Sequence, residues 1–590
     1  MFLFCLLFGS ALIAQTQSPG DGNWFWYATF LQGGHRLYSE MHLALQPLFV
    51  LETSYFFAML GKGWIASKIP AILHLVAYCV ALWILAGRSS FSDFQKAVII
   101  GCGFFFPLGF EAYRFDDYHV LADCFQLYAL IALLALPQVL RLRNQLFLVS
   151  VLGLLCGLSL TTRLNDGAAL FVGVSLGVLV LARRQRVLSL ALLGFAAACT
   201  LVAVVWLTGD SLRDYATYSI FHAAGSKGGA GNVLAYPLML PLNTARWLLQ
   251  AAHNDLLSAY IVLCGVAWAS FIGPFVHKRG RRELAMAAAG FCAVILPLPW
   301  MYNELLCRSQ FVAPFALLGM AAIGTILACV LGALIVVRFF RSLASANGSW
   351  DRREILLLIP IGQLASGSMS TGGVHYGLYG TLGVLVVLIS ICPPFRPSTD
   401  WLRSFSIPVL AILVVTTAIY KFKDPYSWHT YRENRLFVNR TVYHHPIYGP
   451  MIIDRDMLAF IQPVCSEIEP TGPHPELLSL PFPYANYFCG IPPWHGYVQT
   501  FYDTSSKETI DTLMGQLASG PPPWILYQRQ LATLALHELA YNQSRPLEHR
   551  YLDQMIEQKI QQGQWRVAYS SSYDNSSQWD NHWMLIRTSP

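Results

Sequence analysis

Charge is what this sequence has least of. Only 12% of its 590 residues are Asp, Glu, Lys or Arg, where soluble domains carry about 25%. An ordinary water-soluble fold is excluded on that ground. The net charge is only +6, and no basic stripe interleaved with aromatics appears, so nothing points to nucleic acid. The 13 cysteines form no CxxC and no Cys/His spacing of a metal site. Most stand alone in apolar runs (Cys79, Cys102, Cys124, Cys156, Cys199) and read as small buried hydrophobes. HExxH and a Ser-His-Asp order are missing, which removes the usual hydrolase signatures. No long internal repeat is present, and repeats are a common mark of transporters.

What is abundant is apolar sequence: 55% hydrophobic residues and a mean hydropathy of +0.45. Runs near the roughly 20-residue spanning length fall at 1–15, 69–87, 96–112, 120–137, 146–162, 167–183, 187–207, 257–276, 284–300, 310–337, 355–367, 373–393 and 405–421. They predict a polytopic α-helical membrane protein with about 13 transmembrane helices. The opening "MFLFCLLFGSALIA" lacks the positive n-region of a signal peptide and reads as a short first membrane helix. The run 44–61 carries Glu52 and Pro47 and reads as a helix lying at the interface.

Basic residues orient these spans. With the N-terminus inside, the clusters Arg88/Lys96, Arg141/Arg143, Arg183/Arg184/Arg186, "HKRGRRE" (277–283), 338–353 and Arg396/Arg403 all fall on the cytoplasmic side. That is the positive-inside pattern. The exoplasmic (periplasmic) face then receives loops 15–68 and 208–256 and everything after 421. The expected organisation is a transmembrane domain over 1–421 and a soluble exoplasmic α/β domain over 422–590. In the latter, "ELLSL", "WILYQ", "WRVAYS" and "HWMLIRT" read as strands, with helical patterns at 456–469, 506–518 and 545–562. It contains no GxGxxG and no P-loop, and docking or covering is its simplest role. Cys465 and Cys489 lie in this polar part and are candidates to pair in an oxidising compartment.

Acids and cations at membrane edges are expensive to bury, so they are where chemistry is sought. Asp21, in "SPGDGNWFWYATF", reads either as a turn or N-cap residue or as a general base in a partly apolar mouth. "EAYRFDDYHVLAD" gathers Glu111, Arg114, Asp116, Asp117, His119 and Asp123. Such a group positions an acceptor or offers oxygen ligands to a divalent cation, or it is a solvated loop. In "TTRLNDG", Arg163 either grips a phosphate or anchors at the interface. Lys227, among glycines in "FHAAGSKGGAGN", suits a phosphate or simply a flexible loop. Glu304, Arg308 and His375 are of the same grade. Together they offer a carboxylate base and phosphate-holding cations on one face.

From Asp21 onward the sequence resembles the first exoplasmic loop of GT-C glycosyltransferases, in the protein O-mannosyltransferase and aminoarabinose lipid A transferase branch. The resemblance rests on Asp21, Tyr27, Ala28, Gly34, Tyr38, Pro47, Leu48, Gly61 and Lys68 in that order. It implies a GT-C fold and an enzyme that moves a sugar, with inversion, from a polyprenyl-phosphate carrier to an exoplasmic lipid, glycan or protein acceptor. It makes Asp21 the base and matches Asp117 or Asp123 loosely to a second catalytic acid. Tyr38, Lys68, His119, Arg163, Lys227 and Arg308 become candidates for holding donor or phosphate. The pattern departs at Gly22, where the family often has a second acid, and at Gln46, where it has lysine. Readings from other classes are a transporter or flippase of a lipid-linked substrate, and a non-catalytic relative.

Overall fold

The computed structural model describes residues 1–227 except 18, 90 and 110–112, then 328–340, 352–367, 417–468 except 429–430, 476–572 except 543, and 582–588, with isolated positions elsewhere. The candidates Glu111, Glu304, Arg308 and His375 lie outside the described residues, as do the apolar runs 257–276 and 284–300.

The N-terminal part is a succession of apolar helices: α1 Phe2–Gln15, α2 Pro19–Gln32, α3 Leu48–Leu60, α4 Trp64–Gly87, α5 Asp93–Phe105, α6 Tyr118–Ala135, α7 Leu142–Leu160, α8 Leu164–Leu181 and α9 Arg186–Trp206. Further on come α10 Ala328–Phe340 and α11 Leu358–Gly367. Among the described residues, α4, α6 (continued to Gln138), α7, α8 and α9 are long and apolar enough to cross a membrane. The protein is a multi-pass membrane protein.

One expected span is shorter than the sequence suggests. α5 has 13 residues, about 20 Å of helix. It begins at a capping box of Ser92 and Gln95 and stops before Pro107, which has no N–H to continue the helical bonds. α3, in the run read as interfacial, also has 13 residues. Its exposed face carries Tyr55, Met59 and Leu60.

The hairpin of α7 and α8 carries a candidate cation at its turn, and a glycine makes the turn possible. A Cβ at Gly167 would collide with the Leu160 backbone, so only glycine lets α8 start this close to the end of α7. Gly153 and Gly157 give α9 the same close approach to α7.

The C-terminal region starts with a hairpin of β1 Arg440–His445 and β2 Gly449–Asp454, followed by α12 Arg455–Ile468. A four-stranded sheet follows, from β3 Leu477–Leu480, β4 Trp524–Arg529, β5 Arg566–Ser572 and β6 His582–Arg587, in the order β3-β4-β6-β5. Only β3 and β4 run parallel. Between the strands lie α13 Tyr484–Phe488, α14 Lys507–Ser519, α15 Leu531–Tyr541 and α16 Glu548–Gln561. Leu478, Leu513, Ile525 and Ile586 form a small core of their own between sheet and helices. The rest of the region joins the large core that it shares with α1–α4. Cys465 and Cys489 form a disulfide that ties α12 to the end of α13.

Candidate functional site

Asp21 sits in the first turn of α2, where the helix dipole favours an acid. It does not cap that helix in isolation, because its carboxylate meets two cations brought from elsewhere in the chain. Arg114 grips it with both terminal nitrogens, at 2.8 and 3.4 Å. Lys68, in the second turn of α4, stands 3.9 Å away. Asp116 completes the group, 2.5 Å from Lys68 Nζ and 3.4 Å from Arg114 Nε. Two acids and two bases thus share one nearly buried site with no net charge. Isolated, each would be costly to desolvate; together their charges offset one another, while Asp116 Oδ1 accepts no hydrogen bond from a described residue. Burial works against the charge on Arg114, yet Asp116 and Asp21 hold its guanidinium protonated above its already high range.

The C-terminal region covers this quartet. The Tyr426 ring lies 5.1 Å under the Arg114 guanidinium carbon, a cation–π contact. Tyr448 and Tyr487 stack around Phe25 of α2, with ring centres 4.5 and 5.7 Å from it. Burial and the negative charge of Asp21 push both hydroxyls far above the usual phenol range, so they remain O–H donors beside the acid. His445 fixes this cover. Its Nδ1 accepts the Ile447 and Tyr448 N–H groups at 3.1 and 3.0 Å, and its Nε2–H donates to Tyr487 O at 2.6 Å. That pattern requires the neutral imidazole, and burial lowers its pKa to about 4.

One helical turn beyond Asp21, Trp24 marks the edge of a cavity of about 670 Å³. Trp24 and Tyr118 close its upper wall with rings 5.4 Å apart. Its polar end holds Arg163 and Lys227, and Asp503 from the C-terminal region. Arg163 pairs with Asp166 at 2.5 Å, and Ser366 Oγ donates to the same carboxylate at 2.6 Å. Lys227 lies 3.6 Å from Asp503. From this end the cavity runs along one face of α8, past Leu164, Ala168, Val172 and Leu176, with Leu358 and Gly362 of α11 opposite. That face is about 18 Å long. Val172 on it is exposed. A charged end beside a long apolar face can take an amphipathic molecule with an anionic head.

The candidate residues therefore divide. Asp21 and Lys68 meet in the quartet, and Arg163 and Lys227 meet at the cavity head. Asp117 caps α6 by accepting the Tyr118 N–H at 2.6 Å, and His119 leans on it at 3.1 Å. Both are one residue from cavity-lining Tyr118. Asp123, further along α6, accepts the Tyr113 hydroxyl at 2.8 Å and lies within electrostatic reach of Arg163 and Asp166. Tyr38 is fully buried, with its N–H on Asp210 and its hydroxyl on Leu45 O, which is a structural position rather than an exposed phosphate contact. Gln46, at the departure from the resembled pattern, lines the cavity and accepts the Tyr215 hydroxyl at 2.6 Å.

The described acids of the 111–123 stretch do not gather as a cation site. Asp116, Asp117 and Asp123 point to three different partners. Among the described residues no three His, Cys, Asp or Glu side chains are grouped to hold a metal ion. The sequence reading passed over Arg114 as the partner of Asp21 and Asp116 as the partner of Lys68, and missed Tyr426, Tyr448, Tyr487 and Asp503 altogether. The crowding of charge in "YRFDD" was the available signal for the first two.

No protein-family model matches the chain, and no curated protein does. Among solved structures it is similar to the crystal structure of ArnT from Cupriavidus metallidurans bound to undecaprenyl phosphate. Identity is 12%, over 99% of this chain and 97% of that one, with a TM-score of 0.40. No residue role is taken from so distant a likeness.

Proposed function

We propose that the protein is an integral-membrane glycosyltransferase of GT-C type, which transfers a sugar from a polyprenyl-phosphate donor to an acceptor on the exoplasmic face. The observation that carries this is the cavity. Its apolar face on α8 suits a prenyl chain entering from the bilayer, and Arg163 and Lys227 suit the phosphate. The quartet around Asp21 stands one helix turn away, behind Trp24 and Tyr118.

In this reading Asp21 takes the proton of the acceptor hydroxyl or amine. The acceptor atom forms the new bond to the anomeric carbon as the bond from that carbon to the phosphate oxygen breaks. The electron pair leaves on the polyprenyl phosphate, whose charge the nearby cations stabilise. Asp21 is held by Arg114 and Lys68 before substrate arrives. The arriving acceptor loosens that grip and so frees the carboxylate to accept a proton. Asp117 and His119 flank cavity-lining Tyr118.

Binding of a polyprenyl phosphate to the purified protein tests the cavity half of this proposal. Arg163→Gln and Lys227→Gln each remove one charge-assisted contact, which is worth about 1.5–3 kcal/mol. Each is expected to weaken binding by roughly ten-fold or more. Unchanged binding in the double variant would place the phosphate elsewhere.

A further inference from the structure

The β1–β2 hairpin and the loop before it are bonded to the end of α1, to Phe422 and to the start of α4. The Phe437 N–H donates to the side chain of Gln15, the last residue of α1, at 2.7 Å. Just beyond α1, the Gln17 N–H donates to Glu433 at 2.9 Å, and its side chain donates to Ile452 O at 3.2 Å. The Leu436 N–H donates to Phe422 O at 3.0 Å, at the end of the apolar run 405–421. At the hairpin's far end, Tyr448 O accepts the N–H of Trp64, the first residue of α4. These contacts fix the height of the segment at the water boundary of the apolar helices.

At that height the segment shows apolar side chains to the outside. Phe437 is 66% exposed and Val442 58%. Val438 and Phe422 are exposed as well, and the Phe422 and Phe437 rings lie 6.4 Å apart. Val442 faces Ile452 across the hairpin, so the apolar outer face continues on the second strand. Phe437 and Asn439 both have left-handed backbone, φ +62° and +58°, a conformation uncommon outside glycine that tertiary contacts must hold. Here the Gln15 and Leu436 bonds hold it. Arg435, exposed beside the patch, is placed for lipid phosphates.

We infer that residues 435–442 form a lipid-contacting anchor, which seats Phe437, Val438 and Val442 in the interfacial layer of the bilayer. The occupant is the bilayer because the patch is bonded to the end of apolar helix α1, its hairpin is bonded to the start of α4, which is long and apolar enough to cross a membrane, and Phe and other apolar side chains seat in that layer. The anchor would hold the C-terminal cover over Asp21 by a membrane contact as well as by its protein contacts.

The test replaces Phe437, Val442 or exposed Gln562 with photoreactive p-benzoylphenylalanine in the full chain. The protein is reconstituted into phosphatidylethanolamine/phosphatidylglycerol vesicles, irradiated and analysed by mass spectrometry. Phospholipid adducts at 437 and 442 but not at 562 are expected. Adducts to a second copy of the chain, no adducts at 437 and 442, or equal lipid adducts at all three would overturn the inference. The readout is independent of sugar transfer, so it stands or falls apart from the proposed activity.

Discussion

Replacing Arg114 with methionine should unbalance the quartet, and the size of the effect follows from its geometry. Arg114 supplies the 2.8 and 3.4 Å contacts to Asp21 and the 3.4 Å contact to Asp116. Without it, two nearly buried carboxylates keep Lys68, at 3.9 and 2.5 Å, but lose the guanidinium between them. Removing one partner of a buried pair costs about 3–5 kcal/mol, chiefly through the charge left uncompensated. Asp21→Asn alone leaves the opposite imbalance, a surplus positive charge. The two together leave Lys68 and Asp116 as a neutral pair. The double variant should therefore lose less than the sum of the singles, with a coupling of about 1.5–3 kcal/mol. The assay is unfolding by SDS titration in mixed micelles, followed by circular dichroism, for the wild type, both singles and the double. Costs that add to within about 0.5 kcal/mol would refute the quartet as an electrostatic unit. Arg114→Lys restores the charge but not the two-pronged grip or the flat stacking on Tyr426, and should recover stability only in part.

Gly362→Leu projects a side chain from α11 into the cavity, where a Cβ would meet Ala169 at an ordinary 3.8 Å. It should leave the helices in place and weaken polyprenyl phosphate binding about ten-fold or more, read by titration. Protonating His445 would break its two backbone N–H bonds, and its folded pKa of about 4 lies below the ordinary 6.5. The unfolded chain therefore takes the proton first. The contribution of His445 is complete above pH 6.5 and about 3 kcal/mol is lost as pH falls to about 4; denaturation across that window should show the slope, and His445→Asn should flatten it. Replacing Cys465 and Cys489 together with serine reopens a loop closed over a sequence separation of 24. That should destabilise the C-terminal region by about 2–4 kcal/mol, and reductant should have no further effect on the variant. Reporter fusions after residues 90, 210 and 430 should report cytoplasmic, exoplasmic and exoplasmic positions.

How far the sequence carried depended on the range of each signal. Strands β3, β4, β5 and β6 were legible as short runs of aromatic and branched residues, and α12, α14 and α16 as helical patterns. The β1–β2 hairpin was not, because Pro446 and Pro450 interrupt "RTVYHHPIYGPMIID". α5 was read too long because its apolar run continues past Phe105, although Pro107 ends the helix. The pairing of Asp21 with Lys68 was within reach, since both lie in one resembled stretch. Tyr426, Tyr448 and Tyr487 come some 400 residues after Asp21 in the chain. No periodicity announces that they fold back over it. Charge crowding marked Arg114 and Asp116 as notable, but only the fold shows that Arg114 grips Asp21 and that Asp116 pairs with Lys68 and Arg114.

The central claim is that Asp21 is the base of a sugar transfer. The direct measurement is mass spectrometry of envelope glycans and glycolipids from cells lacking the gene and complemented with wild type or Asp21→Asn at equal membrane levels. A sugar modification that depends on the wild-type protein, and falls by about 10²–10⁴-fold with Asp21→Asn while polyprenyl phosphate binding persists, is the predicted result. Wild-type levels of that modification from a correctly inserted Asp21→Asn protein would contradict the account.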